Sequence, residues 1–284
     1  MGSRALHASI ALAVLAAACG LATPPERAAP LYTVSATPIA APLVEVAPAV
    51  TSAPAPPPPP VPRSPFAYAN IDPEDDLIVA PPDARPTCEE ELAAAGVVFK
   101  KAALDVHVVT GPRKSKLTCG APQVVLYQKS PAKIAYEPGV VITCTMALAL
   151  ARFETILQEE AKRSLGKRVV KIHHLGTYNC REMAAYPGWV SEHSYGNAID
   201  LADFVLEDGR TVSVLQRFAP KLEIAKTPES VFLRTSAQRA YREEVFSDVL
   251  TPFFDAVHAN HFHLDMARYR NDGTQFGGEP APTP

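Results

Sequence analysis

Apolar residues in this chain follow three patterns, each predicting a different kind of segment. The first is a short continuous run over residues 10–18, behind the positive Arg4. At roughly nine residues it is far below the ~20 that a helix needs to cross a hydrocarbon core. A basic flank, a short apolar stretch and small terminal residues are the features of a secretion signal, so export is expected. The second pattern, residues 20–83, has no period: it holds most of the 29 prolines, among alanine, valine and threonine. Proline fixes φ and removes a backbone donor, so this stretch is expected to be a disordered, extended spacer whose function is reach. The third, residues 84–272, has the mixed periods of one compact domain. Residues 273–284, rich in glycine and proline, read as a disordered tail.

Within the domain, a helix is expected over 88–98, with Thr87 as its N-cap and acidic residues in its first turn. Strand-like runs follow at 105–110, 123–127 and 140–143. Met146, Leu150, Phe153, Leu157 and Ala161 recur at helical spacing, predicting a core helix over 145–165 that Gly166 stops. Residues 168–173 alternate as a strand. Residues 198–206 read as another, turning at Asp208-Gly209 into 210–214. A helix over 231–245 and a strand-like segment over 258–266 complete the domain. Strands and helices do not alternate strictly, which favours an α+β fold: a small antiparallel sheet with helices packed on one face.

The formal net charge is −3 and no basic stripe runs through the domain. Arg113-Lys114-Ser115-Lys116 reads as a solvated loop, and nucleic acid is not an expected partner. Four cysteines lie in the domain, Cys88, Cys119, Cys144 and Cys180. None has the close spacing of a zinc knuckle, and an even number in an exported chain reads as two disulfides. Of the three possible connectivities, Cys88–Cys119 with Cys144–Cys180 is favoured. The fifth cysteine ends Leu15-Ala16-Ala17-Ala18-Cys19, which resembles a lipobox with its leucine one place further back than usual. Cys19 is therefore expected to be acylated and to anchor the chain to a membrane. Ordinary cleavage near Cys19, releasing a soluble envelope protein, is the alternative.

The histidines cluster in two short motifs, Ser191-Glu192-His193-Ser194-Tyr195-Gly196-Asn197-Ala198-Ile199-Asp200 and His258-Ala259-Asn260-His261-Phe262-His263-Leu264-Asp265. Zinc favours imidazole nitrogen and carboxylate oxygen, and catalytic sites use three protein ligands with a fourth position open. His193, Asp200 and His263 supply that set, for one Zn2+. In a strand, residues two apart share a face, so His261 and His263 are expected to look into one site. Ala198 and Ala202 flank Asp200 on its face and leave room. His173 and His174, adjacent in a strand, face opposite ways and cannot both be ligands.

Ser-x-His-x-x-Gly-x-Ala-x-Asp followed by His-x-His resembles the zinc peptidases of the D-alanyl-D-alanine carboxypeptidase, lysostaphin-type and Hedgehog-like superfamily. More closely, the domain resembles the extensin-like C-terminal domain family, through Cys144 and the helix after it, Tyr178-x-Cys180-Arg181, Ser191-Glu192-His193, Asn197-Ala198-Ile199-Asp200 and His261-Phe262-His263-Leu264-Asp265. The resemblance implies His193, Asp200 and His263 as metal ligands and cell-wall peptides as substrates. Many of the carboxypeptidases carry a glutamate base three residues before the last ligand; here that position is Asn260. The His258-x-x-His261-x-His263 pattern instead resembles the penicillin-insensitive murein endopeptidases, in which histidines stand beside the metal-bound water. A histidine near its ordinary pKa can accept a proton at neutral pH.

These readings converge on a zinc-dependent peptidase of peptidoglycan stem peptides, of D,D- or L,D-carboxypeptidase or endopeptidase type, in the cell envelope. His261 or His258 is the expected proton acceptor, and Arg181 is a candidate for holding a substrate carboxylate or polarising a carbonyl. Glu192 is expected to be solvated or to support the ligands, Asp265 to orient His261, and Trp189 to line the core or a groove. The alternative is a catalytically inactive zinc domain that binds the wall or a partner.

Overall fold

The structure, a computed structural model, describes residues 80–183 and 188–277. The expected secretion signal, the expected acylation site Cys19, nearly all of the proline-rich spacer, and residues 278–284 lie outside the described residues.

The domain is α+β. After the short helix α1 (Cys88–Ala94), two long strands, β1 (Val98–Thr110) and β2 (Lys116–Lys129), form a hairpin arm. β2 continues across to β4 (Val140–Thr143), giving an antiparallel three-stranded sheet in the order β1-β2-β4. A seven-stranded sheet contains the remaining strands: β3 (Ala135–Glu137), β5 (Val169–His174), β6 (Ala198–Leu206), β7 (Thr211–Ser213), β8 (Asp248–Leu250), β9 (Phe262–Asp265) and β10 (Asn271–Gly273). Its order is β10-β8-β9-β6-β5-β3, with β7 also on β6. The central pairings are antiparallel as expected; the outer pairs β10–β8 and β3–β5 are parallel.

The core helix α2 (Cys144–Leu165) forms where the apolar stripe placed it. Thr143 caps it by accepting from the Met146 N–H, and Gly166 ends it at φ 65. Met146, Leu150, Phe153, Leu157 and Ala161 are all essentially inaccessible, and burying each large apolar side chain contributes about 1.5–3 kcal/mol. A short helix α3 (Val214–Arg217) precedes α4 (Pro228–Arg242), which packs on α2 and starts earlier than its apolar pattern implied. Thr227 caps α4 by accepting from the Ser230 N–H, and Pro228 occupies its first turn, where a missing N–H costs nothing.

Several expectations are corrected. α1 is shorter than 88–98, because the chain reverses at Gly96, φ 71. Thr87 is at its N-cap position as expected but makes no side-chain capping bond; its hydroxyl donates to Glu91 Oε1 at 2.7 Å. β1 begins at Val98 and not near residue 105. Its early residues are exposed and lysine-rich, so their alternation carried no core signal. Opposite its bulges, Gly120 sits at φ 90, and a β-carbon there would lie 2.2 Å from the Asp105 carbonyl oxygen. The disulfides are Cys88–Cys144 and Cys119–Cys180, not the favoured pairing. Cys88 and Cys119 lie in different clusters: the first in the main core with Cys144, the second on β2 of the hairpin arm, in the smaller cluster that Cys180 packs against. Gly273, assigned to a disordered tail, closes β10, and the Thr251 hydroxyl donates to its carbonyl at 2.6 Å.

A second, smaller apolar cluster lies between the hairpin arm and the first histidine motif. Leu117, Cys119, Ala121 and Val124 of β2 meet Val190 and Tyr195 there. The arm is thereby a buttress for the turn that carries His193.

Candidate metal centre

Asp200 is in β6, and its register partner on β9 is His263. Residues opposed across an antiparallel pair present side chains to the same face, so sheet pairing alone brings the two together. His193 arrives from the 3-10 turn Glu192–Tyr195, which ends at Gly196 in the left-handed region, φ 65. A β-carbon at Gly196 would also crowd Leu104 Cδ2 at 3.3 Å, so both conformation and packing call for glycine. The Gly196 carbonyl accepts from the Thr143 N–H at 2.8 Å, tying the turn to the start of α2.

The three side chains converge. Asp200 Oδ1 is 3.0 Å from His263 Nδ1 and 3.2 Å from His193 Nε2, and the two ring nitrogens are 3.2 Å apart. The outer nitrogen of each ring is held by an acceptor. His193 Nδ1–H donates to the Thr177 carbonyl at 3.3 Å, and His263 Nε2–H donates to Asp265 Oδ2 at 2.9 Å. With those protons placed, Nε2 of His193, Nδ1 of His263 and Oδ1 of Asp200 all face one point. Asp265 was expected to serve His261; it serves His263, because residues 263 and 265 share a face of β9.

The electrostatics follow from crowding these groups together. Burial alone would raise the Asp200 carboxyl, but its hydrogen bonds with His193 and His263 outweigh this and hold it well below the usual carboxylate range. Burial alone would lower His263, yet the hydrogen bonds to Asp200 and Asp265 raise it to about 10. Two imidazoles and a carboxylate at this spacing demand positive charge among them. Protons can supply it, and so can a divalent cation, for which two nitrogens and one oxygen are a fitting donor set. His193, Asp200 and His263 form a group of potential ligands whose atoms lie within 4.8 Å of one another.

His261 lies just before β9, with Nε2 3.5 Å from Asp200 Oδ1 and Nδ1–H donating to Asn260 Oδ1 at 2.8 Å. Burial lowers its pKa to about 4, against the pull of Asp200, so it carries a lone pair on the site's side at neutral pH. His258 is in the turn before it and not in a strand, correcting the strand expected over 258–266. Asp255 makes that turn: its Oδ1 accepts from the His258 backbone N–H at 3.0 Å and from its Nδ1 at 2.6 Å. The His258 ring stands 5.3 Å from that of His261 and 5.8 Å from that of His263. Burial lowers the His258 pKa as well.

Arg181 reaches the site through its backbone. Its N–H donates to Ser194 Oγ at 2.9 Å and its carbonyl accepts from the Ser191 N–H at 3.1 Å, while the guanidinium donates to the Glu182 carbonyl. Glu192 is buried rather than solvated. Burial beside Asp265 raises its carboxyl to about 8, and Oε2 accepts from Asn197 Nδ2 at 2.6 Å. Trp189 is half-buried and packs edge-on against Tyr269. His174 is buried against the Pro138 carbonyl while His173 faces Glu137, the opposite orientations expected of neighbours in a strand.

Sequence reading missed three supports. Asn197 accepts from the Thr143 hydroxyl and donates to Glu192 and to the Met266 carbonyl, linking α2 to both motifs. Asp255 had a signal, its spacing of three from His258. The Thr177 carbonyl is a backbone group and had none.

The chain belongs to the extensin-like protein C-terminus family, whose pattern matches residues 87–275. Comparisons with curated proteins and with solved structures find no match.

Proposed function

We propose that this domain is a zinc-dependent peptidase acting on peptidoglycan peptides, related to the carboxypeptidase, murein endopeptidase and Hedgehog-like superfamily. One observation carries the reading: two imidazoles and a carboxylate converge with each imidazole's outer nitrogen held by an acceptor. A carboxylate or carbonyl behind a metal-binding histidine fixes its tautomer and raises its basicity. His193, Asp200 and His263 would hold the ion. When bound, zinc polarises a scissile carbonyl and lowers the pKa of water toward ~7.

The chain's own residues supply the rest. His261 presents Nε2 to the site as a neutral acceptor, its other nitrogen kept protonated by Asn260, and takes the proton of the attacking water. His258, oriented by Asp255, is the neighbouring histidine that shares this work. Arg181 serves as backbone support for the His193 turn rather than as a substrate clamp. Two disulfides suit an oxidising compartment, in line with export to the cell envelope and a lipid anchor at Cys19.

The test is mass spectrometry of muropeptides incubated with the purified protein, alongside its metal content. Products that appear with zinc and vanish with chelator support the proposal. A protein that retains stoichiometric zinc and leaves every peptide intact is instead a wall-binding module.

A further inference from the structure

The segment Thr177 to Arg181 is irregular, yet it lies along the turn that carries His193 and is bonded to it repeatedly. The Thr177 carbonyl takes the His193 ring proton, and the Asn179 N–H donates to the His193 carbonyl at 3.1 Å. Ser194 Oγ lies within hydrogen-bond distance of the Asn179 carbonyl and accepts from the Arg181 N–H; the Arg181 carbonyl takes the Ser191 N–H. Segment and turn thus hold each other, and these bonds by themselves do not fasten the pair to a sheet. The covalent fastening is Cys180–Cys119, where Cys119 lies fully buried in β2 within the smaller apolar cluster. Cys88–Cys144 has a different task, joining α1 to the first residue of α2 in the main core.

Resting on the metal reading of the site, we infer that Cys119–Cys180 is a positioning clamp for the metal centre, and that opening it releases the ion while the domain stays folded. Cutting the clamp leaves every ligand in the chain but removes the one covalent tie between β2 and the segment that accepts the His193 ring proton, leaving hydrogen bonds alone to hold it. Three of the four domain cysteines are fully buried and Cys180 is not, so a reductant meets the Cys180 sulfur first; access governs which disulfide is attacked. With a tertiary phosphine, phosphorus attacks that sulfur and the S–S bond breaks. Hydrolysis then yields the phosphine oxide and two thiols, with water supplying the oxygen and the thiol protons.

The experiment uses the full chain loaded with zinc. Phosphine is added in steps, zinc release is followed with a chromogenic chelator, and alkylation with peptide mapping reports which disulfide has opened. Zinc release is expected to track the opening of Cys119–Cys180, with far-UV circular dichroism unchanged. The double variant Cys119→Ser/Cys180→Ser is expected to bind zinc about 10–100-fold more weakly, the range for losing a support behind a metal ligand. Cys88→Ser/Cys144→Ser is expected to lower the thermal midpoint and leave zinc affinity unchanged. Should the first variant not fold, stepwise reduction of the native protein decides alone. Zinc retained at unchanged affinity after Cys119–Cys180 has opened overturns the clamp and spares the site. A native chain that takes up no zinc overturns both.

Discussion

Asp200 and His263 are register partners on β6 and β9, and Asp200 Oδ1 lies 3.0 Å from His263 Nδ1. Two of the three candidate ligands are therefore set by the pairing of central strands, among the most rigid relationships a fold offers. The third, His193, depends on a turn, a glycine and the irregular segment behind them. The site thus has one side built into the sheet and one side that has to be held.

The first prediction separates ligand from proton acceptor. His263→Ala should abolish zinc retention, because two protein ligands hold the ion much less firmly than three. His261→Ala should keep most of the zinc and lose turnover by ~10²–10⁴-fold, the usual cost of removing a general base. Elemental analysis and muropeptide digestion on the same preparations decide it. If His261→Ala loses zinc as completely as His263→Ala, His261 is a ligand.

The second concerns the carboxylate behind His263. Asp265→Ala removes the acceptor of the Nε2–H, and zinc affinity should fall about 10–100-fold. Competition with a calibrated chelator measures this. An unchanged affinity would mean that the ring is oriented by β9 alone.

Proton linkage provides the third. The folded-state pKa of His263 is raised from 6.5 to about 10, so in the metal-free protein its proton stabilises the fold fully below pH 6.5 and that contribution is lost as pH rises through 10. Metal must displace the same proton. Zinc binding at pH 7–9 should therefore release about one proton from this ring, read by calorimetry in buffers of differing ionisation enthalpy. His263→Ala should remove the loss of stability between pH 8 and 10, above the range in which Glu192, raised to about 8, makes its own contribution. No proton release on zinc binding would contradict the raised pKa.

A fourth tests the frame. Asn197→Ala removes the acceptor of the Thr143 hydroxyl proton and the donor to the Glu192 carboxyl and the Met266 carbonyl, and each buried hydrogen bond left unmade costs about 1–3 kcal/mol. A destabilisation of several kcal/mol in chemical denaturation is expected. A loss below about 1 kcal/mol would show that the two motifs are joined by packing instead.

Much of this architecture was legible in local pattern. The stripe from Met146 to Ala161 specified α2, with Gly166 at its end, because helical period and stop residues are properties of consecutive residues; the Thr143 cap was found only in the structure. The alternation through Ala198–Leu206 specified β6 and turned Asp200 away from Ile199 and Leu201, which are inaccessible in the core. The residue types in the two histidine motifs named the donor set for the same reason: a ligand's chemistry belongs to its side chain.

Tertiary structure decided everything that depends on which distant segments meet. Cys144 pairs with Cys88 and not with Cys180 because helix packing, invisible in spacing, joins α1 to α2. Asp265 serves His263 because β9 is a strand only from Phe262, leaving His261 to its neighbour Asn260. β10 exists because residues 271–273 find β8 beside them; the same residues alone have no apolar period to announce a strand. Sequence determined which groups were present and which faces they occupied. Only the folded chain determined their partners, because a hydrogen bond or a disulfide is a relation between two places in space.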